Sequence, residues 1–341
     1  MTKRVTLKDI ASEVGVSYQT VSKVLNGQGN VTAETEAQIR HAVEKLGYRT
    51  NATARNLRKQ ASHLIGYSWT PMPPDRVNPI LDRFLSSVAD AAEAAGFHLL
   101  LFPTHDLEKQ LVLYQELARS GRVDGFVLTG TNYDDPRIEL LQTLQFPFVA
   151  FGRANPEWSF PYVDVDGRDG LRQATAHLIE QGHERVAILA WPENSRAGTA
   201  RLNGYMEAMA VAGLPVDASW LVRSEGNVEA GYAQTTALLA LPASQRPTAV
   251  VAVDDLLAIG ALQAAQAASL VIGAEFGVTG FDDTPGIQHL TPSLTSVRQP
   301  IWEVGQQIVP MLIALTRGET LPETEITLSP QLIVRKSSLR R

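Results

Sequence analysis

The apolar positions of the first 47 residues predict three short helices. The string LKDIASEVG repeats apolar residues at helical spacing and ends at Gly15, a natural C-terminal stop. Ser17 is a good N-cap for a second helix, YQTVSKVL, which ends before Asn26, and a third helix extends from Thr32 to a stop at Gly47. Two helices joined by a tight, glycine-containing turn are typical of a helix-turn-helix. The side chains expected to close its small core are Leu7, Ile10, Ala11, Val14, Val21, Val24, Leu25, Ile39, Val43 and Leu46.

From His63 onward, short apolar runs alternate with longer helical stretches. The alternation occurs twice, first from HLIGYSW to VDGFVLTG and again from GLRQATAHLIEQG to FGVTGFDD. Strands that are apolar along their whole length indicate parallel sheets covered on both faces, so the two series predict two doubly wound α/β lobes. Ligands of such folds bind at the carboxyl ends of the strands, where Asp254, Asp255, Asp282 and Asp283 are expected.

The 341-residue chain is 44% hydrophobic and 19% charged, an ordinary balance for a protein of two or three folded domains. Its net charge of −6 is unevenly distributed. Residues 1–60 hold ten Lys or Arg and five Asp or Glu, a balance of +5, whereas the remainder holds 20 basic and 31 acidic residues, a balance of −11. A basic N-terminal segment before an acidic remainder suits a polyanion such as DNA, although a solvated basic face gives the same signal.

The N-terminal string MTKRVTLKDIASEVGVS lacks the apolar stretch of a signal peptide, and no run approaches the roughly 18 apolar residues of a membrane span. Because the chain has no cysteine, neither a disulfide nor a thiolate metal site is possible. His177 and His183 lack the spacing of metal ligands, and neither a metal nor a cofactor is expected. We therefore expect a soluble, cytoplasmic protein that makes no contact with a membrane.

The outward face of the second predicted helix carries Tyr18, Gln19, Ser22 and Lys23. Glutamine can pair with adenine, lysine can donate to guanine, and tyrosine can reach a phosphate or a base edge. This face therefore favours DNA recognition. Each residue alone is also compatible with a solvated helix surface, and helix-turn-helix geometry also serves protein contacts.

The strings VTLKDIASEVGVSYQTVSKVLNG and VTAETEAQIRHAVEKLGYRTNATARNLR resemble the DNA-binding head of the LacI/GalR repressor family. The resemblance implies that YQTVSK enters the major groove and that NATARNL forms a hinge helix whose Leu57 is a wedge in the minor groove. Thr50 stands where many relatives have proline, which makes the entry to the hinge less rigid. The side chains expected at the DNA are Leu7, Ser17, Tyr18, Gln19, Thr20, Ser22, Lys23, Asn26, Thr32, Tyr48, Asn51, Ala54 and Leu57.

The hinge also has a physical interpretation that does not depend on the family. Asn51 can cap a helix, but the segment from Asn51 to Arg58 is too short to be helical alone in water. A partner hinge and the floor of a minor groove would stabilise it, which makes the segment a candidate order-disorder switch. A linker with a helical tendency is the alternative.

The rest of the chain resembles the sugar-sensing core of the same family and the related periplasmic binding proteins. Its landmarks ARLNGY, VDDLLAIGA, GFDD and SLTSVRQP follow in the expected order. The resemblance implies that the chain crosses between the lobes near residues 162, 292 and 322. The expected division is a helix-turn-helix domain at 1–49, a hinge at 50–61 and a core at 62–341, with lobe 1 at 62–161 and 293–321 and lobe 2 at 162–292 and 322–341.

An effector cleft is expected between the lobes. A carboxylate accepts hydrogen bonds from neighbouring hydroxyls and a guanidinium donates several, so aspartate with arginine suits a sugar or polyol. Trp69, Trp158 and Trp191 are near predicted strand ends, where ligand stacking and core packing are both open. The side chains expected to contact the effector are Arg201, Asp254, Asp255, Asp282, Arg153, Asp166 and Trp191.

Structural alternatives exist for the aspartates. Asp255 could cap the helix that follows it, and Asp282 with Asp283 could form an Asx turn. The string GNVEAG after Glu225 also departs from relatives that have an aromatic residue there, which leaves the identity of the effector open.

Together these features predict a sequence-specific transcription regulator that acts as a repressor. Two DNA-binding heads on a homodimer, or on a higher oligomer, would bind a pseudo-palindromic operator, and a sugar would control that binding. A nucleobase or nucleoside effector is the main alternative. A glycosidase would also surround a sugar with carboxylates but has no use for a DNA-reading head, and a transport-type binding protein would need an export signal. No enzymatic activity is expected.

Overall fold

The computed structural model describes residues 5–25, 31–48, 61–69, 71, 78–103 and 106–340. The chain separates into two compact units, Met1–Ser62 and His63–Arg341. Residues 50–60 of the expected hinge lie outside the described residues.

The N-terminal unit is built from short helices whose ends follow local capping signals. Thr6 and Asp9 form a capping box before the first helix, and Gly15 ends it with a φ of 74°. Thr32 caps the third helix by accepting from the backbone N–H of Thr35 over 3.3 Å. These features confirm the predicted helix-turn-helix. The three helices are α1 (Leu7–Val14), α2 (Tyr18–Leu25) and α3 (Ala33–Leu46), and their fully buried core consists of Ile10, Ala11, Val21, Val24, Ile39 and Ala42.

The larger unit alternates strands and helices through most of its length, as the hydrophobic pattern predicts. Its strands are β1 (Leu64–Trp69), β2 (His98–Pro103), β3 (Gly125–Leu128), β4 (Phe148–Phe151), β5 (Tyr162–Val165), β6 (Val186–Ala190), β7 (Leu221–Arg223), β8 (Ala249–Ala252), β9 (Gly277–Asp282), β10 (Thr295–Arg298), β11 (Glu325–Leu328) and β12 (Gln331–Ile333). Its helices are α4 (Pro79–Ala94), α5 (Leu107–Arg119), α6 (Pro136–Thr143), α7 (Gly167–Glu180), α8 (Arg196–Val211), α9 (Val228–Leu239), α10 (Asp255–Ala267) and α11 (Ile301–Thr316).

The strands form two six-stranded sheets, one in each lobe. The lobe 1 sheet has the order β2-β1-β3-β4-β5-β11 and is parallel throughout. The lobe 2 sheet has the order β7-β6-β8-β9-β10-β12, and only β12 is antiparallel to its neighbour. This arrangement confirms the predicted pair of doubly wound parallel lobes.

The chain crosses between the lobes a few residues later than predicted. Strand β5 pairs within lobe 1, so the first crossing follows residue 165 rather than residue 162. Strand β10 belongs to lobe 2, so the second crossing follows residue 298 rather than residue 292. Strand β11 also remains in lobe 1 and β12 joins lobe 2, which places the third crossing after residue 328. The reason is that strand pairing sets each crossing, and apolar patterning does not reveal pairing partners.

Helices cover both faces of each sheet. In lobe 1, α4 and α11 pack together over one face and α5 and α6 over the other. Successive residues of β3 alternate between these two cores, since Val127 faces one and Phe126 and Leu128 face the other. In lobe 2, α7 pairs with α8, and α9 pairs with α10. Among the described residues, no helix has the length and apolar character required to cross a bilayer.

Gly260 on α10 provides a test of the packing of lobe 2. A β-carbon at Gly260 would lie 2.1 Å from the carbonyl oxygen of Val228 on α9. Because backbone cannot yield as a flexible side chain does, we expect Gly260→Ala to lower the free energy of unfolding by about 1–3 kcal/mol in urea titrations. Gly286→Ala is the matched control, since no atom lies within 4 Å of its β-carbon position. Equal stability of the two variants would contradict the close contact of α9 with α10.

Candidate functional site

Helix α2 presents a polar face to solvent. Tyr18 is 50% exposed, and Gln19 and Lys23 are also exposed. Ser17 accepts from the backbone N–H of Thr20 over 3.1 Å and thereby caps the first turn. The polar face of α2 therefore consists of Tyr18, Gln19 and Lys23, and its start is fixed by Ser17.

Ser22 does not belong to this face. It is only 8% exposed, and the prediction that it points outward was wrong. Each residue turns the helix by about 100°, so Ser22 lies next to the stripe formed by Val21 and Leu25. Its small side chain is therefore enclosed at the border of the core.

The other residues expected at DNA have different surroundings. Leu7 and Tyr48 are half-buried against the core of the N-terminal unit, and Thr20 is also half-buried. Thr32 is exposed as the cap of α3. Four further residues lie outside the described part of the chain, namely Asn26, Asn51, Ala54 and Leu57.

Arg201 is the central side chain of a buried cluster in lobe 2, called the Arg201 cluster, which also includes Trp191, Phe281 and Asp282. It extends from α8 and is only 7% exposed. Its guanidinium carbon lies 4.6 Å from the ring centroid of Trp191 and 3.8 Å from that of Phe281. Its Nη1 donates to the carbonyl of Val253, and its Nη2 lies 3.9 Å from Oδ1 of Asp282. Residues at the carboxyl ends of strands β6, β8 and β9 therefore all lie against one buried guanidinium.

Asp282 connects this cation to a lobe crossing. Its Oδ1 accepts from Nε2 of Gln299 over 2.6 Å. Gln299 follows β10 and directly precedes the entry into α11 of lobe 1. The carboxylate therefore lies beside the connection between the lobes. Sequence reasoning missed Gln299, although its position in SLTSVRQP after a strand end was available.

Asp254 has two roles in the structure. Its Oδ1 accepts from the backbone N–H of Leu257 over 2.7 Å and caps α10, and its Oδ2 accepts from Nε1 of Trp191 over 2.6 Å. Gly226 makes this possible, because a β-carbon there would lie 2.4 Å from Oδ2 of Asp254. The string GNVEAG thus supplies a glycine that allows close approach to the Trp191 and Asp254 pair.

Both carboxylate oxygens of Asp255 accept hydrogen bonds from other residues of lobe 2. Its Oδ1 accepts from Oγ of Ser296 over 2.6 Å, and its Oδ2 accepts from the N–H and the hydroxyl of Thr284 over 2.8 and 3.0 Å. It is 1% exposed. The alternative that Asp255 caps α10 was wrong, since Asp254 does so, and the bonds of Asp255 fix the turn after β9. Asp283 pairs with Arg298 and Arg335 beside that turn.

Lobe 1 contributes a second, less buried group. Nε of Arg153 donates to Oδ2 of Asp164 over 2.6 Å, and Asp166 caps α7 by accepting from the N–H of Asp169 over 3.0 Å. Asp164 also favours the charged form of Arg201 electrostatically. The ion pair of Arg153 with Asp164 in lobe 1 therefore influences the Arg201 cluster of lobe 2. Of the tryptophans, Trp191 joins the Arg201 cluster, Trp158 packs in lobe 1, and Trp69 is exposed at the end of β1.

Burial sets the electrostatics of the cluster. Burial lowers the pKa of Arg201, and Asp282 and Asp254 oppose that effect. Burial also raises the pKa of Asp254, Asp255 and Asp282 above the ordinary range, and repulsion from Asp282 adds to the effect at Asp255. Asp282 and Asp254 thus act electrostatically on one buried guanidinium, whereas Asp255 beside them bonds Thr284 and Ser296.

Comparisons with known proteins agree with this architecture. The family described as bacterial regulatory proteins, lacI family, matches residues 6–51, and the periplasmic binding protein-like domain matches residues 175–338. The HTH-type transcriptional regulator CelR of Thermobifida fusca is 32% identical over 338 residues, covering 98% of each chain. A solved CelR-cellobiose complex is 31% identical, with a TM-score of 0.75 over 98% of this chain and 100% of that one.

Two further solved structures are similar. A regulatory protein of the LacI family from Chloroflexus aggregans is 49% identical, with a TM-score of 0.78 over 82% of this chain and 99% of that one. The lac repressor dimer bound to operator and the anti-inducer ONPF is 26% identical, with a TM-score of 0.86 over 99% of this chain and 100% of that one. A helix-turn-helix unit with a two-lobed sensor core defines a ligand-responsive transcription regulator. The chain belongs to the LacI family of these regulators, which are not enzymes.

The buried carboxylates predict a specific pH dependence of stability. Because the folded-state pKa of Asp282 is raised, the folded protein binds more protons than the unfolded chain above the ordinary carboxyl pKa, and stability falls as pH rises toward the raised value. Asp282→Asn removes this contribution. We expect the stability of the variant minus that of the wild type to increase between about pH 5 and pH 8 in urea titrations. A difference that is constant with pH, or that decreases, would contradict a protonated carboxyl in this cluster.

Proposed function

We propose that this regulator binds operator DNA through the polar face of α2 and a neutral sugar or polyol through Arg201, Asp254 and Asp282. The observation that carries the sugar assignment is the convergence of one guanidinium, two carboxylates and the Trp191 ring at the carboxyl ends of β6, β8 and β9. Carboxylates accept from adjacent hydroxyls, and an indole face packs on the apolar side of a sugar ring. The known cellobiose complex of CelR supports the same ligand class.

The proposed mechanism links two sites on one chain. Two N-terminal units of a homodimer bind half-sites of a pseudo-palindrome, as the operator complex of the lac repressor dimer supports. The segment 50–61 acts as the hinge between each DNA-reading unit and its core. A sugar that binds one arrangement of the lobes better than another shifts the population of that arrangement, and DNA affinity changes with it.

A ligand screen tests the sugar assignment. Monosaccharides, disaccharides, polyols and nucleobases are added to wild-type protein, Asp282→Asn and the control Asp106→Asn, and thermal unfolding is recorded. Asp106 is a suitable control because it caps α5 outside the Arg201 cluster, and asparagine caps equally well. We expect a sugar at 100 times its Kd to stabilise the wild type and the control by about 2.7 kcal/mol. The same sugar concentration is expected to give no stabilisation of Asp282→Asn.

Two outcomes of the screen contradict the sugar assignment. A response to a nucleobase with no response to sugars would change the ligand class, and a sugar response that persists in Asp282→Asn would move the site elsewhere. Neither outcome affects the assignment of α2 to DNA, which needs its own test.

Gln19 provides that test. We expect Gln19→Ala to weaken binding to a DNA sequence selected by the wild-type protein from a randomised pool by about 1–3 kcal/mol, because a bidentate contact to a base is lost. Gln38→Ala is the control, since Gln38 is also exposed but lies on α3. Titrations that give the same affinity for both variants would remove Gln19 from the reading face.

A further inference from the structure

Arg196 joins the two lobes at the carboxyl ends of their strands. It is the first residue of α8 in lobe 2. Its backbone N–H donates to Oδ1 of Asn132 over 2.7 Å, and its Nε donates to the carbonyl of Ala154 over 3.1 Å. Both acceptors belong to lobe 1, in the loops after β3 and β4, and the guanidinium carbon lies 5.9 Å from the ring centroid of Tyr133. One residue of lobe 2 therefore bonds two loops of lobe 1.

The lobe 1 loops that receive these bonds are tied to each other. Asp134 and Asn155 exchange two hydrogen bonds of 2.8 and 2.7 Å across the loops. Thr131 donates to the carbonyl of Arg153 over 3.3 Å. Asp135, which caps α6 at the end of the first loop, forms a buried ion pair of 2.6 Å with Arg137. The acceptors for Arg196 are thus held by lobe 1 itself and do not follow movements of lobe 2.

The chemistry of this link makes it sensitive to small movements of the lobes. The first N–H groups of a helix have no partner within the helix, so Asn132 satisfies a group of α8 that would otherwise need water. Over the described ranges, Arg196 forms no ion pair with a carboxylate, and both of its acceptors are neutral. Hydrogen bonds weaken steeply with distance and angle, so the link is lost when the lobes separate.

We propose that Arg196 is a positioning residue that holds the two lobes together before any effector binds. The arrangement in which Arg196 bonds Asn132 and Ala154 is called closed. Arg201 lies five residues further along the same helix, about 7.5 Å along its axis. Fixing Arg196 therefore also fixes Arg201 relative to Asp164 and Arg153 of lobe 1. The cleft is assembled in advance, and a ligand that prefers this arrangement does not have to close it. The inference does not depend on whether the effector is a sugar.

Distance measurements between the lobes test directly whether Arg196 holds them in the closed arrangement. The chain has no cysteine, so Ser159→Cys on lobe 1 and Asn203→Cys on α8 allow two spin labels at exposed positions. Labelled protein is mixed with excess unlabelled protein, so that one subunit of a dimer carries labels, and distances are measured without ligand. We expect Arg196→Gln and Asn132→Ala to shift the ratio of closed to open lobes about tenfold toward open, which corresponds to about 1.4 kcal/mol.

Two variants separate positioning from general destabilisation. Asn132→Asp keeps the oxygen acceptor and is expected to retain the wild-type distance distribution. Arg185→Gln removes a bond of 2.8 Å from Nε to the carbonyl of Arg246, which is of the same kind but lies within lobe 2, and is expected to change nothing. An unchanged distribution in Arg196→Gln and Asn132→Ala would overturn the proposal, and so would an equal opening in Arg185→Gln.

Discussion

The buried guanidinium of Arg201 is the constraint on which the sensor core depends. A charge removed from water is costly unless neighbouring groups compensate it, and the compensation here comes from three different strands. Trp191 follows β6, Val253 follows β8, and Phe281 and Asp282 end β9. These strand ends must therefore lie together around α8, where the effector site is proposed.

Local signals made much of the fold predictable. Thr32 and Gly47 mark the ends of α3 because capping chemistry acts within a few residues. The apolar runs VAILA and TAVVAV mark β6 and β8 because strands buried on both faces need apolar side chains throughout. The family resemblance also implied that Arg201 and Asp282 face one cleft, and the structure brings their side chains to within 3.9 Å of each other.

Contacts between distant residues were not predictable in the same way. Asp255 bonds Thr284 and Ser296, which are 29 and 41 residues away, and no local pattern distinguishes it from Asp254. Ser22 is buried because α1 and α3 enclose the side of α2 that it borders, and Arg196 reaches Asn132 only because the two lobes face each other. The crossing points likewise depend on which sheet edge is available to β5 and β10. In each case, contacts between residues far apart in the sequence determined the arrangement, and the local sequence pattern did not distinguish it from others.

The DNA affinity of helix α2 and the ligand affinity of the Arg201 site are proposed to be coupled, and thermodynamic reciprocity tests that coupling most directly. The measurement is calorimetric titration of the most stabilising ligand of the screen into free protein and into protein saturated with its selected operator. If the sites are coupled, the two ligand affinities differ by the same factor by which that ligand changes operator affinity. Identical ligand affinities with and without DNA would mean that the cleft does not control the DNA-reading unit.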